Sequence, residues 1–447
     1  MSGEVGRGAP AVAGTTRAAS EPERPYLTPH LPGVGGRIKS TPEDFRVEEV
    51  PAVAPSGRGD HLWILVEKRR LTTKEAVVRV ARHVGVSPGE VRLAGLKDRG
   101  AVTRQWLSIR GVAARDLDGL EAANGGALAP IAAVPHSQPI KIGELRGNRF
   151  TVWIRGVAEN ALASATPILA ACGERGVPNF HGEQRYGLRG DNHLVIADVL
   201  RGDAGAAVDR VLAGSLAAAG PAGAAARERW AAGDAAGALR ELPRKCDAER
   251  RLLRTLVDRP LEPAAALGKL PKPTLWLHVS AYQSWLFDRY VAARMERGWG
   301  VDRLVPGDLA IEHRTMMISL VSDDEPPAAL AARARSFEAS ATGPIAGPSM
   351  VRPDGEPGRL EAETIAAAGA AGHAERLGAL FEGVEPAGTR RAVRFRVSEL
   401  DVREETADGE RALVLRFFLG RGAYATTFLR EITKAAPPAP TESDEEQ

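Results

Sequence analysis

Eleven residues, Gly95-Leu96-Lys97-Asp98-Arg99-Gly100-Ala101-Val102-Thr103-Arg104-Gln105, hold the densest chemistry in the chain. They set one carboxylate, Asp98, between two fixed cations and follow it with three side chains able to bind phosphate, Thr103, Arg104 and Gln105. A neighbouring positive charge favours the ionised carboxylate, so Asp98 suits the role of nucleophile or electrostatic partner better than that of a neutral-pH acid. Taken alone, the same segment also reads as a basic surface turn whose aspartate caps it.

Three further segments carry spare polar chemistry. Pro178-Asn179-Phe180-His181-Gly182-Glu183-Gln184-Arg185-Tyr186-Gly187 packs amides, rings and an arginine between turn residues, which suits a loop that stacks an extruded base; a structural turn with a core aromatic is the plainer reading. Gly420 to Glu431 leaves a strand at glycines and enters a helix that Thr426 or Thr427 is placed to cap, and such a helix start can hold phosphate. Tyr282-Gln283-Ser284-Trp285-Leu286-Phe287 opens a helix whose apolar residues read as core, with Gln283 spare.

These segments need a scaffold. Phe45 and Val47 alternate with charged residues as in a half-buried strand, and His61 to Lys68 reads as a more buried one. Thr72-Thr73 caps a helix over Lys74–Val84, whose Ala76, Val77, Val80, Ala81 and Val84 recur at helical spacing. A short apolar step, Val91 to Ala94, then runs into the Asp98 segment, so Asp98 sits where a strand leaves a sheet. Extended structure resumes at Trp106–Ile109 and Arg149–Arg155, and again late, at Val393–Val397 and Ala412–Leu419. Between them the composition turns to alanine and glycine. Cys246–Val257 is expected as a helix of an accessory layer with Leu252, Leu253, Leu256 and Val257 on one side, and Pro326–Ala341 and Glu361–Ala374 share the alanine-rich character. The topology expected is a β-rich domain whose last strands follow a long insertion.

At 447 residues the chain exceeds one ordinary core, and two domains, one inserted in the other, are the default. Its net charge is only +2, yet Lys and Arg cluster at 68–70, 97–104, 185–189, 390–396 and 421–434, which fits a local basic face for nucleic acid. The two cysteines, Cys172 and Cys246, suit a reducing cytoplasm, and the nine histidines show no zinc-binding spacing. No apolar run is long enough to span a membrane, and no Walker or Rossmann spacing supports a nucleotide cofactor. The N-terminal stretch reads as a disordered arm, and the acidic end from Pro437 to Gln447 as a solvated tail.

Taken in order, Arg37-Ile38-Lys39 with Pro42-Glu43-Asp44-Phe45, Gly95 to Arg99 with Thr103 and Gln105, Gly147-Asn148-Arg149-Phe150, Pro178 to Gly187, Gln283 to Phe287, and Tyr424-Ala425-Thr426 with Leu429-Arg430-Glu431 resemble the TruD family of tRNA pseudouridine synthases. The resemblance implies an α/β (α+β) protein: a catalytic domain with a mixed, largely antiparallel sheet flanked by helices, carrying an inserted α/β domain peculiar to the family. It divides the chain into an arm at 1–35, the catalytic domain at 36–201 and 400–434, the insertion at 202–399 and a tail at 435–447. It implies isomerisation of uridine to pseudouridine at position 13 of tRNA by a cytoplasmic monomer, with no metal or other cofactor.

Asp98 matches the family's catalytic aspartate, and Lys39, Asn179 and the ring positions of the Asn179 loop match residues lining its site. With Arg185 and Tyr424 these form the expected substrate contacts. Two positions depart from the family pattern. The loop reads Asn179-Phe180-His181-Gly182 in place of Asn-Tyr-Phe-Gly, so His181, Phe180 or Tyr424 must face the base. Asp288 stands where Asn is usual, a change expected to be minor. In an extended segment Lys97 and Arg99 cannot both face the side of Asp98, so its cation is expected from elsewhere, Lys39 or an arginine of the Arg185 loop. Two other classes fit the residues less well: an RNA-binding protein with a structural Asp98, and a metal-dependent nuclease using Asp98, Glu43 and Asp44.

Overall fold

A computed structural model describes residues 24–187, 189–218, 220–244, 246–259, 262–369 and 387–435. The first 23 residues of the expected arm and the acidic tail from 436 onward lie outside the described residues, as does the end of the alanine-rich stretch beyond 369.

The main sheet has eight strands. Seven run in the order β13 (Val397–Ala407), β14 (Glu410–Gly420), β6 (Leu145–Arg155), β1 (Phe45–Pro51), β4 (Val102–Arg110), β2 (His61–Arg69) and β5 (Leu128–His136), and β3 (Arg92–Leu93) pairs with β4. Only β1 and β4 pair in parallel; the other pairs are antiparallel, giving the mixed sheet expected. The late strands rejoin the early ones because β14 pairs with β6 from Ala412↔Arg155 to Gly420↔Gly147. β13 begins at Val397, within the span expected to be insertion.

Alternation decides which side chains face inward. In β1, Phe45, Val47 and Glu49 are buried; in β2, Leu62, Ile64, Val66 and Lys68. The helix over Thr73–Val84 forms as its sequence demands, with Thr72 accepting the Glu75 N–H, Glu75 returning to the Thr72 N–H, and Gly85 closing the end at φ 74°.

Between β7 (Val177–Pro178) and β12 (Arg394–Phe395), which pair with each other, lies a helical layer ending in the long helix Lys272–Glu296. A second sheet follows, in the order β11 (Thr389–Ala392), β10 (Ala339–Ile345), β8 (Leu309–Glu312), β9 (Ile318–Leu320). In the helix Asp247–Asp258 the leucines Leu252, Leu253 and Leu256 are buried as expected, whereas Val257 is exposed. Residues 24–35, expected in the disordered arm, pack on the last helix, Ala425–Thr433: Leu27 N–H donates to Glu431, and Val34 and Gly35 donate to the Ile432 and Thr433 carbonyls. Among the described residues no helix is long and apolar enough to cross a membrane.

Candidate active site

β4 gives the Asp98 loop its place. β1 pairs with its first residues, Val102 to Arg104, and β3 with Leu107 and Ser108 on the same edge, so the two neighbours split apart between them. The segment Gly95–Gly100 leaves β3 beside that split, and Glu49 of β1 fills the gap. One Glu49 oxygen accepts the Trp106 N–H at 3.3 Å and the other pairs with Lys97 Nζ at 2.5 Å.

The loop backbone is tied down from behind. Thr73 Oγ1 accepts the Lys97 N–H at 2.8 Å and donates to Gln105 Oε1 at 3.1 Å, while the Gln105 amide donates to the Gly95 carbonyl at 2.5 Å. Lys68, fully buried, donates to the carbonyls of Leu71 (2.7 Å), Lys97 (3.2 Å) and Asp98 (2.9 Å). Burial pulls the Lys68 pKa down to about 8 against the opposing pull of Asp98. With Lys97 committed to Glu49 and exposed Arg99 to the Arg70 carbonyl, neither sequence neighbour pairs with the Asp98 carboxylate.

Its cation is Lys39. The ammonium forms an ion pair with Asp98 Oδ2, Gly100 N–H donates to Oδ1 at 2.9 Å, and the two side chains keep only 17% and 16% of their surface exposed. Burial pushes the Asp98 carboxyl up, but the Lys39 charge and hydrogen bond, the Gly100 N–H and the Lys68 charge together hold it below the usual carboxylate value. The flanking glycines are not forced by space: a Cβ at Gly95 would meet nothing within 4 Å, and one at Gly100 only Asp98 Oδ1 at 3.5 Å.

A second constellation surrounds the loop after β7. Asn179 is clipped to β11, donating its side-chain amide to the Ala392 carbonyl (2.8 Å) and accepting from Arg391 Nη2 (2.6 Å), which also donates to the Gly422 carbonyl (2.9 Å). Arg391 lies 5.7 Å from the Tyr424 ring centre and 5.6 Å from that of Phe287. His181 is buried, with both its backbone N–H and its Nδ1 at 3.0 Å from Asp288 Oδ1. The Tyr186 hydroxyl donates to Asp288 Oδ2 at 2.8 Å, and Arg24 Nε lies 3.3 Å from it. Arg185, half-buried, donates to Ser284 Oγ at 3.0 Å rather than approaching Asp98.

The two constellations are joined by rings and by main chain. Lys39 Nζ stands 4.9 Å from the Phe45 ring centre; Phe45 meets Phe150 edge-on, Phe150 stacks on Phe417 at 5.1 Å, and Phe417 meets Phe428 of the last helix at 4.8 Å. In that helix Thr427 Oγ1 donates to the Phe180 carbonyl at 3.2 Å. From the other direction, Gly143 N–H donates to the Ala94 carbonyl (2.7 Å) and Arg421 donates to the Gly143 carbonyl (2.9 Å), tying the turn before Tyr424 to the strand entering the Asp98 loop.

Several expectations need correction. Phe180, expected as one of the rings open to a base, is 1% exposed and packs in the main core; Tyr424 is half-buried beside Gly182. Neither Thr426 nor Thr427 caps the last helix: the residue before it is Tyr424, and the Thr427 hydroxyl serves Phe180. Gln283 is buried in the helix Lys272–Glu296 and donates to the Ala346 carbonyl at 2.8 Å. Of the acidic pair considered for metal, Asp44 is bound by Arg155 and Glu43 by Arg69. Asp288, expected to be a minor departure, is the direct partner of the other one, His181.

Lys68 and Arg391 join the site without having been expected there. Lys68 was legible: it falls in phase with Leu62, Ile64 and Val66 on the buried face of β2. Arg391 had no local signal, since its partner Asn179 lies more than two hundred residues away.

The tRNA pseudouridine synthase D (TruD) family model matches residues 23–432. A tRNA pseudouridine synthase D of Geotalea daltonii is 40% identical, the alignment covering 92% of this chain and all of the relative; that of Thermus thermophilus is 35% identical over 95% and 98%. A crystal structure from Methanosarcina mazei assigned to TruD superposes with a TM-score of 0.78 at 25% identity, covering 92% of this chain and 96% of that one. With fold, motif order and full-length similarity in agreement, the chain belongs to the TruD family of tRNA pseudouridine synthases.

Proposed function

We propose that this chain isomerises uridine to pseudouridine in tRNA, at position 13, with Asp98 as the catalytic carboxylate. The observation that carries this reading is an ionised Asp98 paired with Lys39 on a loop whose backbone is fixed independently by Thr73, Gln105 and Lys68. The reaction breaks the N1–C1′ bond, turns the freed uracil and joins C5 to C1′. It is redox-neutral and consumes no nucleotide. An anionic, partly desolvated carboxylate serves it either by adding to C1′ or by assisting loss of the ribose 2′ proton.

The base must first leave its stack, at a cost of a few kcal/mol. Tyr424 and His181 are the rings placed to offset that cost, since stacking one base contributes about 1–3 kcal/mol. Lys39 keeps Asp98 charged, Asn179 holds the platform loop to β11 through Arg391, and Arg185 with Arg421 meet the tRNA backbone. The segment from 202 to the start of β13 acts as an inserted domain on this catalytic sheet, and the protein works as a cytoplasmic monomer. Mapping pseudouridine in tRNA from cells with and without this protein tests the assignment: the reading requires loss of the modification at position 13 alone, and its persistence there would refute it.

A further inference from the structure

The fully buried Asp288 accepts from the His181 N–H and the Tyr186 hydroxyl, forms an ion pair with Arg24 and stands 3.0 Å from His181 Nδ1. A carboxylate accepts and does not donate, so Nδ1 carries the imidazole hydrogen and Nε2 carries the lone pair. Among the described residues Nε2 has no hydrogen-bond partner, and the His181 residue keeps 5% of its surface exposed. The ring stands 5.9 Å from Tyr424 and edge-on to Phe287 at 5.4 Å, at the platform of the proposed site.

The proposed isomerisation ends with the loss of a proton from C5. Once C5 has bonded to C1′, C5 bears both the ribose and its original hydrogen, and aromatic uracil is regained only when that proton leaves. We propose that His181 Nε2 accepts the C5 proton and that Asp288 steadies the imidazolium formed, an inference that rests on the pseudouridine synthase reading. In that step the C5–H bond breaks and its electron pair restores C5=C6. The C6=N1 pair moves to N1, which takes a proton from water, and the imidazolium returns its own to water. No oxidant, reductant or further reactant enters.

The groups facing His181 agree with this role. Asp288 comes from the helix Lys272–Glu296, Arg391 from β11, Arg185 from its own loop and Tyr424 from the start of the last helix, while Tyr186 and Arg24 lie against Asp288. Burial, aided by Arg391 and Arg185 and opposed by Asp288, lowers the His181 pKa below its usual value, which leaves the imidazole neutral at neutral pH. Tyr186 is held protonated by burial beside Asp288 and stays a donor. His181 is therefore the neutral base of the constellation.

The test uses tRNA transcripts carrying uridine or 5-deuterated uridine at position 13, followed through single turnovers between about pH 4.5 and 8, a range bracketing the ordinary histidine pKa. His181→Phe keeps a flat ring, and His181→Phe with Asp288→Asn also removes the buried charge that the single change would orphan. Turnover is expected to fall about 100-fold or more in both variants, the scale of a positioned base. Deuterium at C5 should slow the variants more than the parent. The parent should show an acid limb below pH 6.5, absent from the double variant. A double variant with the parental rate would overturn the proposal, as would a parent protein with no acid limb, even if both variants failed to fold. Absence of pseudouridine from every arm would instead refute the underlying activity, and pseudouridine formed without dependence on His181 would refute the proton acceptor alone.

Discussion

The Lys39 ammonium reaches the Asp98 carboxylate from a residue whose own backbone lies in the left-handed region, at φ 57°. A non-glycine residue there costs of order 1 kcal/mol or more, so the surrounding structure holds Lys39 in that conformation against a local preference. The partners on either side fix the rest: Arg37 pairs with Arg155 through both main-chain groups, and Asp44 binds Arg155.

Lys39→Met should therefore lower turnover by about 100-fold or more, because burial would then act on Asp98 with its main counter-charge removed. The sign is defined. In the parent the Asp98 pKa is depressed, so the carboxylate persists through the mildly acidic range and is lost only as pH falls below the ordinary carboxylate value. In the variant this limb should move to higher pH. A pH–rate profile under single-turnover conditions checks it; an unmoved limb would remove Lys39 from the site.

Lys68 should separate activity from stability. As pH rises through about 8, the ammonium loses a proton and three carbonyls share the two remaining N–H groups, so turnover should decline above that value. Stability should move the other way: with a folded pKa of about 8 against 10.5 for the free side chain, the unfolded chain binds more protons in that window, and this group's contribution rises with pH. Lys68→Met should abolish the alkaline limb and cost of order 100-fold in turnover, the effect of a catalytic group misplaced by about 1 Å. Amide exchange at Gly95–Gly100 should quicken with it.

Tyr424 and Phe180 should fail differently. Tyr424→Ala removes an accessible ring and should raise KM or weaken base docking by about tenfold to a hundredfold, matching a stacking contribution of about 1–3 kcal/mol. Phe180→Ala opens a cavity in the main core and should cost about 3–5 kcal/mol of stability. Chemical denaturation beside steady-state kinetics tells the two apart; a stable Phe180→Ala protein with poor docking would make Phe180 a contact of the base.

Arg185→Ala and Arg421→Ala should each weaken tRNA binding and reduce the slope of log affinity against log salt by about one. Arg421 is exposed and spends one N–H on the Gly143 carbonyl, leaving others for phosphate. A salt-independent loss would make either residue structural.

The strands and their facing were readable because alternation and caps are local. Phe45, Val47 and Glu49 are in phase, and Thr72 with Glu75 announces its helix within four residues. Asp98 was readable from its unusual neighbours, but its neighbours' roles were not. Lys97 turns to Glu49, forty-eight residues earlier, while Lys39, one of the cations expected for Asp98, reaches it from fifty-nine residues away. The coupling of His181 to Asp288 spans one hundred and seven residues and joins the loop after β7 to the long helix. No periodicity encodes such a contact. The depth of Phe180 was hidden for the same reason: its partner, Thr427, lies in the last helix.

The central claim, that the Asp98 carboxylate performs the chemistry, is tested most directly by single-turnover pseudouridine formation on tRNA by Asp98→Asn, with tRNA binding measured in parallel. The amide keeps an oxygen for the Gly100 N–H and loses the charge paired with Lys39. Asp98→Asn should form no detectable pseudouridine and bind tRNA with nearly unchanged affinity. Turnover retained by Asp98→Asn would contradict it.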